Sequence, residues 1–200
     1  MKKLIYLSII TTVLFASCNT GSQKGKTAET FQPIETNVSA RPAGQKHVVG
    51  LTSPKMDTVR VGFIGLGMRG PGAVQRFTHI PGAKIVALCD LHPDRVEKSQ
   101  QILDKAGVPR AAAYSGSEDA WKELCQRDDI DLVYIATDWK RHAQMMIYAM
   151  EQGKHVACEV PAAMTMEEIW DVVNTAERTQ KHCMQLENCV YDFFELTTLN

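Results

Sequence analysis

Residues 59–70 read V-R-V-G-F-I-G-L-G-M-R-G, a mostly apolar strand-forming run that passes straight into a turn with glycines at 65, 67 and 70. The spacing is G-x-G-x-x-G, and few folds place that pattern between a strand and a helix. Gly65 permits the tight turn. Gly67 lets backbone approach a phosphate with no side chain in the way, and Gly70 lets the following helix pack closely on the strand. Met68 and Arg69 stand at the helix start, where backbone N–H groups and the positive dipole end face an anion. A second strand is predicted over Ala83–Cys89 and closes on Asp90, twenty positions after Gly70. An acid there accepts hydrogen bonds from an adenosine ribose and repels a 2′-phosphate, which favours NAD over NADP. The expectation is a dinucleotide-binding half-domain.

The pattern then repeats. Helices are expected at about 72–77 and 94–106, the second capped by Gly107. Tyr114 follows, and a helix around 117–125 takes Ser117 as its N-cap. A continuous apolar run at 132–136 reads as a buried parallel strand. Ala143, Met146, Ile147 and Met150 recur at helical spacing before Gly153, and the methionines read as core packing. A strand at 155–158 runs into Glu159-Val160-Pro161. Thr165 and Glu168 have capping-box spacing, opening a helix whose expected core face is Ile169, Val172, Val173 and Ala176. A last strand is expected at 183–186. Strand–helix units in this order close as a parallel sheet covered on both faces, so the fold class is α/β, a Rossmann-type doubly wound sheet.

The amino terminus differs in kind. Lys2 and Lys3 precede an apolar run to Ala16, and Ser17-Cys18 follow. A positive start, a short apolar stretch and small residues before a break make a secretory signal. A run of thirteen residues, 4–16, falls short of the roughly 20 that a spanning helix needs. The cysteine directly after Ala16-Ser17 resembles a bacterial lipoprotein cleavage site, so residues 1–17 are read as a lipoprotein-type signal peptide, with Cys18 as the lipidated first residue of an exported, cell-envelope protein facing the periplasm or in the outer membrane. Plain secretion without lipidation is the alternative. Residues 18–56 form a polar tether and lead-in, 57–188 the NAD-binding domain, and 189–200 the start of a connection. The segment from Tyr191 onward reads as a new helix without a terminating signal, so a second domain is expected to be missing. The five cysteines beyond Cys18 show no C-x-x-C and read as buried thiols, and the histidines show no metal-ligand spacing. A formal net charge of −1 without a basic block gives no footprint for nucleic acid. A homo-oligomer is compatible with the sequence.

Ligands of open α/β sheets bind outside the carboxyl ends of the strands. Trp139, Lys140, Arg141 and His142 follow one such end and can line the nicotinamide ribose and a substrate, or else pack and solvate the helix start. Glu159 ends the next strand, where its carboxylate can accept from ribose hydroxyls or cap a local turn, and Pro161, with a cis bond as an option, would fix that turn. Asn188, after the last strand, can donate its amide to cofactor or substrate. Tyr191 is read as a proton-transfer residue or a structural tyrosine.

With these elements placed, residues 47–200 resemble the Gfo/Idh/MocA oxidoreductases, and within them glycoside hydrolase family 109, the NAD-dependent α-N-acetylgalactosaminidases. The stretches that carry the resemblance are His47-Val-Val-Gly-Leu leading into Gly65-Leu-Gly-Met-Arg-Gly70, Thr137-Asp-Trp-Lys-Arg-His142, and Gly153-Lys-His-Val-Ala-Cys-Glu-Val-Pro161 with Glu187-Asn-Cys189. The resemblance implies an NAD-binding domain joined to an open-sheet substrate domain, and a glycoside as substrate. It implies oxidation of the sugar at C3, loss of the acidified C2 proton with elimination of the C1 substituent, addition of water and re-reduction, outside the two-carboxylate scheme of most glycosidases. Dehydrogenases of the wider family usually carry Glu-Lys-Pro, whose lysine serves proton transfer. Val160 departs from that pattern and agrees with the glycosidase branch. An NAD-dependent sugar or polyol dehydrogenase is the rival reading, and a non-catalytic NAD-binding envelope protein is a third.

Overall fold

In the structure, a computed structural model, residues 42–190 and 192–198 are described. Strands β1 (Val59–Ile64), β2 (Ala83–Cys89), β3 (Ala112–Tyr114), β4 (Leu132–Ile135), β5 (His155–Glu159) and β6 (Cys183–Leu186) form one sheet. Its order is β3-β2-β1-β4-β5-β6, and every pairing is parallel. The helices are α1 (Gly70–Phe77), α2 (Pro93–Lys105), α3 (Ala120–Cys125), α4 (Trp139–Glu151), α5 (Met166–Thr179) and α6 (Phe193–Thr198). This is the doubly wound Rossmann-type sheet that the alternating pattern implies.

Alternate strand residues feed two cores. Val61, Phe63, Tyr134 and Ala157 face α1 and α2 through Val74, Val96 and Leu103. Ile64, Val133, Ile135 and Cys158 face α3, α4 and α5 through Leu124, Met146 and Ala176. Each large side chain buried this way contributes about 1.5–3 kcal/mol, which is why near-continuous apolar strands were legible as buried on both faces. The period breaks once. Val61 pairs with Ile85 but Gly62 with Ala87, so Val86 is an extra residue, and both Val86 and Ala87 pack toward the same core.

Two local expectations are corrected. The third helix begins at Ala120 after an Asp119 N-cap, and Ser117 instead accepts a hydrogen bond from the Asp119 N–H at 3.2 Å, closing the turn before the helix. On α5 the Thr165–Glu168 capping box is present, but Ile169 is 43% exposed and Val173 only half-buried, while Thr175 joins Val172 and Ala176 in the interior. The lead-in reaches the carboxyl half of this helix. Gln45 reaches Glu177 at 2.8 Å and Asn174 at 3.3 Å, Gln180 bonds the Lys46 carbonyl, and Val48 packs on the core. A strap of the lead-in thus lies over the carboxyl half of α5. Helical periodicity cannot anticipate a cover that comes from a polar segment about 130 residues away.

The five described cysteines are free; Cys89, Cys125 and Cys158 are buried, but Cys183 is half-buried and Cys189 exposed. The reading of all five as buried thiols is corrected at these last two, of which Cys183 opens the edge strand β6 and Cys189 follows it. Among the described residues no helix is long and apolar enough to cross a membrane.

Candidate functional site

The order of strands reverses between β1 and β4. A cleft of about 600 Å³ opens there, at the carboxyl ends of the strands. One half is the glycine turn with the end of β2. The other half is the pair of turns that follow β4 and β5.

The glycine turn can be tested residue by residue. Gly65 has φ +92°, and a Cβ there would lie 2.5 Å from the Ala136 carbonyl oxygen. A Cβ on Gly70 would lie 2.0 Å from the Gly65 oxygen. The protein's own packing therefore requires both glycines. Gly67 is different, since its nearest neighbour to such a Cβ is the Arg95 guanidinium at 3.6 Å, an ordinary contact. Among the described residues no contact requires a glycine at 67, and a bare backbone there can admit a ligand closely. The helix behind it agrees: α1 starts at Arg69 without a side-chain cap and without an acid in its first turn, leaving its N–H donors to an anion. A dinucleotide pyrophosphate fits both observations. Met68 and Arg69 line the cleft beside the turn.

Asp90 is only 7% exposed and is more engaged than expected. One carboxylate oxygen accepts the Leu66 N–H at 2.7 Å, and the other accepts the His92 N–H at 2.9 Å and lies 3.5 Å from Arg95. It braces the glycine turn from below while keeping lone pairs for a ribose. Arg95, in the first turn of α2, was not singled out from the sequence. The signal was available, because Pro93 marks the helix start and puts Arg95 next to the acid. Cys89, also in the cleft lining, is pushed up to about 12 by burial and then by the Asp90 charge, so it is an inert thiol.

On the other half, Glu159 is buried at the end of β5 and accepts the Tyr134 hydroxyl at 2.7 Å. Burial first, and the Glu159 carboxylate second, raise the Tyr134 phenol above its ordinary range, which keeps it a donor. Tyr134 was missed because the link is through space. It pairs with Ala157 across the ladder, so Glu159, two residues on, shares its face. Tyr134 is locked by a stack on Phe63 at 5.0 Å and an edge contact with Phe77. Val160 lines the cleft, and the Val160–Pro161 bond is cis.

Trp139 is 60% exposed at the mouth of the cleft. Arg141 also lines it, but its guanidinium is held by Glu118 and by Asp138 at 3.2 Å, spanning from α4 to the turn before α3. Glu118, Ser117 and Trp121 thereby enter the lining without having been anticipated. His142 is 1% exposed, with both ring nitrogens on backbone carbonyls. Lys140 and Asn188 are exposed and stand outside the lining. Cys18 and Tyr191 lie outside the described residues. Among the described residues no group of three or more His, Cys, Asp or Glu is arranged to hold a metal ion.

Comparison with known proteins agrees with this geometry. Residues 59–186 match the Gfo/Idh/MocA model, described as an oxidoreductase family with an NAD-binding Rossmann fold. The chain is 76% identical over 176 residues to the glycosyl hydrolase family 109 protein 1 of Bacteroides fragilis strain YCH46, covering 88% of this chain and 38% of that protein. It is 66% identical over all 200 residues to the protein of the same name from Bacteroides thetaiotaomicron, covering 42% of it. Among solved structures, the myo-inositol 2-dehydrogenase of Lactobacillus plantarum matches with a TM-score of 0.59 at 25% identity, over 68% of this chain and 38% of that one. The chain thus spans about two fifths of the length of the curated relatives it matches.

Proposed function

The chain belongs to the Gfo/Idh/MocA family of oxidoreductases with an NAD-binding Rossmann fold, and we propose that it is the cofactor-holding part of a glycosidase that cleaves α-N-acetylgalactosaminides. NAD, when bound, supplies a transient oxidation of the sugar at C3 that makes elimination at C1 and re-addition of water feasible, and it ends each cycle unconsumed. Gly65, Gly67 and Gly70 with the start of α1 would hold the pyrophosphate, Asp90 the adenosine ribose, and Glu159 the nicotinamide ribose. Tyr134 fixes the Glu159 carboxylate, and Trp139 offers an indole at the mouth of the cleft where a sugar ring would enter.

The observation that carries the reading is Val160. It lines the cleft directly after Glu159, at the position where the dehydrogenase branch carries its proton-transferring lysine. An apolar side chain there can neither donate nor accept a proton. The high identity to family 109 proteins supports the same branch. The test uses the intact polypeptide on an aryl α-N-acetylgalactosaminide in deuterated water. The expected result is release of the aglycone with no accumulation of NADH, and deuterium at C2 of the sugar. Steady NADH release without cleavage would instead identify a sugar or polyol dehydrogenase. NAD binding without any turnover would leave a binding protein.

For location, we propose lipidation at Cys18 and residence in the cell envelope, from the charged start, the short apolar run and the cysteine after Ala16-Ser17. Cys18→Ser should abolish acyl labelling and membrane fractionation, and a soluble, unlabelled protein with Cys18 intact would defeat the idea.

A further inference from the structure

His142 has the chemistry of a ligand-binding residue and the placement of a strut. Its side chain is 1% exposed. Nδ1 lies 2.7 Å from the Pro161 carbonyl oxygen, and Nε2 lies 3.2 Å from the Thr137 carbonyl oxygen. These oxygens belong to different turns, one after β4 and one after β5. The backbone ladder between those strands pairs Ile135 with Cys158 at its carboxyl end. His142 spans the turns beyond that pairing.

Both turns wall the cleft. Thr137, Asp138 and Trp139 line it from the first, and Glu159 and Val160 from the second. Carbonyl oxygens only accept, so the ring must donate to be satisfied. A neutral imidazole donates to one of them and a doubly protonated ring to both. A buried carbonyl without a donor is costly, so the ring and the two turns hold one another in place. No contact of this kind ties the glycine turn to either of these turns through His142.

We propose that His142 is a positioning residue that sets the distance between the β4 and β5 turns, and so shapes the half of the cleft that takes the nicotinamide riboside of NAD. It acts through the Thr137 and Pro161 carbonyls, from a place in the wall of the cleft itself. The inference rests on the reading that NAD binds in this cleft, with its adenosine and pyrophosphate on the glycine turn.

The test compares NAD with ADP, which carries the adenosine and pyrophosphate but no nicotinamide riboside. His142→Phe keeps a ring of similar size and removes both ring nitrogens, while His142→Gln keeps a polar donor group. By titration of the intact polypeptide, His142→Phe should weaken NAD by about tenfold or more and leave ADP within about twofold, with His142→Gln between wild type and Phe. Should the Phe variant fail to fold, the NAD-to-ADP ratio of the Gln variant decides. NAD affinity equal to wild type would overturn the proposal. So would a parallel fall for NAD and ADP, which is the mark of a general structural role. Wild-type protein that binds ADP but not NAD, or neither, would instead defeat the cofactor reading on which the proposal stands.

Discussion

The two halves of the cleft are built by opposite means. The glycine-turn half is made by removing side chains, because Gly65 and Gly70 are bare where a Cβ would strike backbone and Gly67 is bare where, among the described residues, a Cβ would meet only an ordinary contact with Arg95. The β4–β5 half is made by adding them. Tyr134 holds Glu159, Arg141 joins Glu118 and His142 joins two carbonyls, over separations of 25, 23, 19 and 5 residues. A phosphate recognised by backbone N–H groups needs close approach, whereas a sugar and a nicotinamide riboside need directed side chains. The first half should therefore fail by steric collision, and the second by loosening.

The sharpest division lies inside the glycine turn. Gly70→Ala places a methyl on the Gly65 carbonyl, and a destabilisation of about 3 kcal/mol or more is expected, visible as a melting point lower by roughly 10 °C or as failure to fold. Gly67→Ala should leave the melting point within about 2 °C while reducing NAD affinity by about tenfold or more, since the methyl occupies only ligand space. If Gly67→Ala melts like Gly70→Ala, the turn is a packing device and its claim on a pyrophosphate lapses.

On the other half the expected loss is smaller and confined to one end of the cofactor. Tyr134→Phe removes the hydroxyl that donates to the buried Glu159 carboxylate, a loss of about 1–3 kcal/mol by analogy with other buried groups left short of a donor. NAD binding should weaken with ADP binding unchanged, measured side by side by calorimetry. Equal weakening of both ligands would mean that the halves are not separable.

The same contrast explains what could be read in advance. Strands β1, β2 and β6 and the α5 capping box are local patterns of apolar period, glycine and Thr-x-x-Glu, and each appears where its residues put it. The glycine turn, Asp90 and Glu159 were legible because strand-end positions follow from chain order once the sheet is parallel. Tyr134 and the Glu118–Arg141 pair were not, because each depends on the register between strands or on how a helix docks. Neither has a signature in one sequence. Ile169 was misread because a helical period gives the apolar stripe but not which edge of it the sheet covers.

The smallest expected effect tests whether the adenosine end obeys the rule of its own half. Asp90 is a long-range side-chain brace on the glycine side, and its carboxylate serves two backbone N–H groups while Arg95 stands 3.5 Å away. Its charge opposes a 2′-phosphate, and the guanidinium beside it would welcome one. The acid is closer to the turn and better fixed, so NAD should be preferred in the wild type. Asp90→Asn keeps the shape and one acceptor but removes the charge, and it should shift the NAD-to-NADP affinity ratio toward NADP by about tenfold or less. Adding Arg95→Ala should cancel most of that gain, because the phosphate then meets neither repulsion nor attraction. Titrations of both cofactors against the two variants measure this directly. An unchanged ratio in Asp90→Asn would make the carboxylate purely a brace for Leu66 and His92, and the preference would then have to reside in backbone alone, as the rest of that half does.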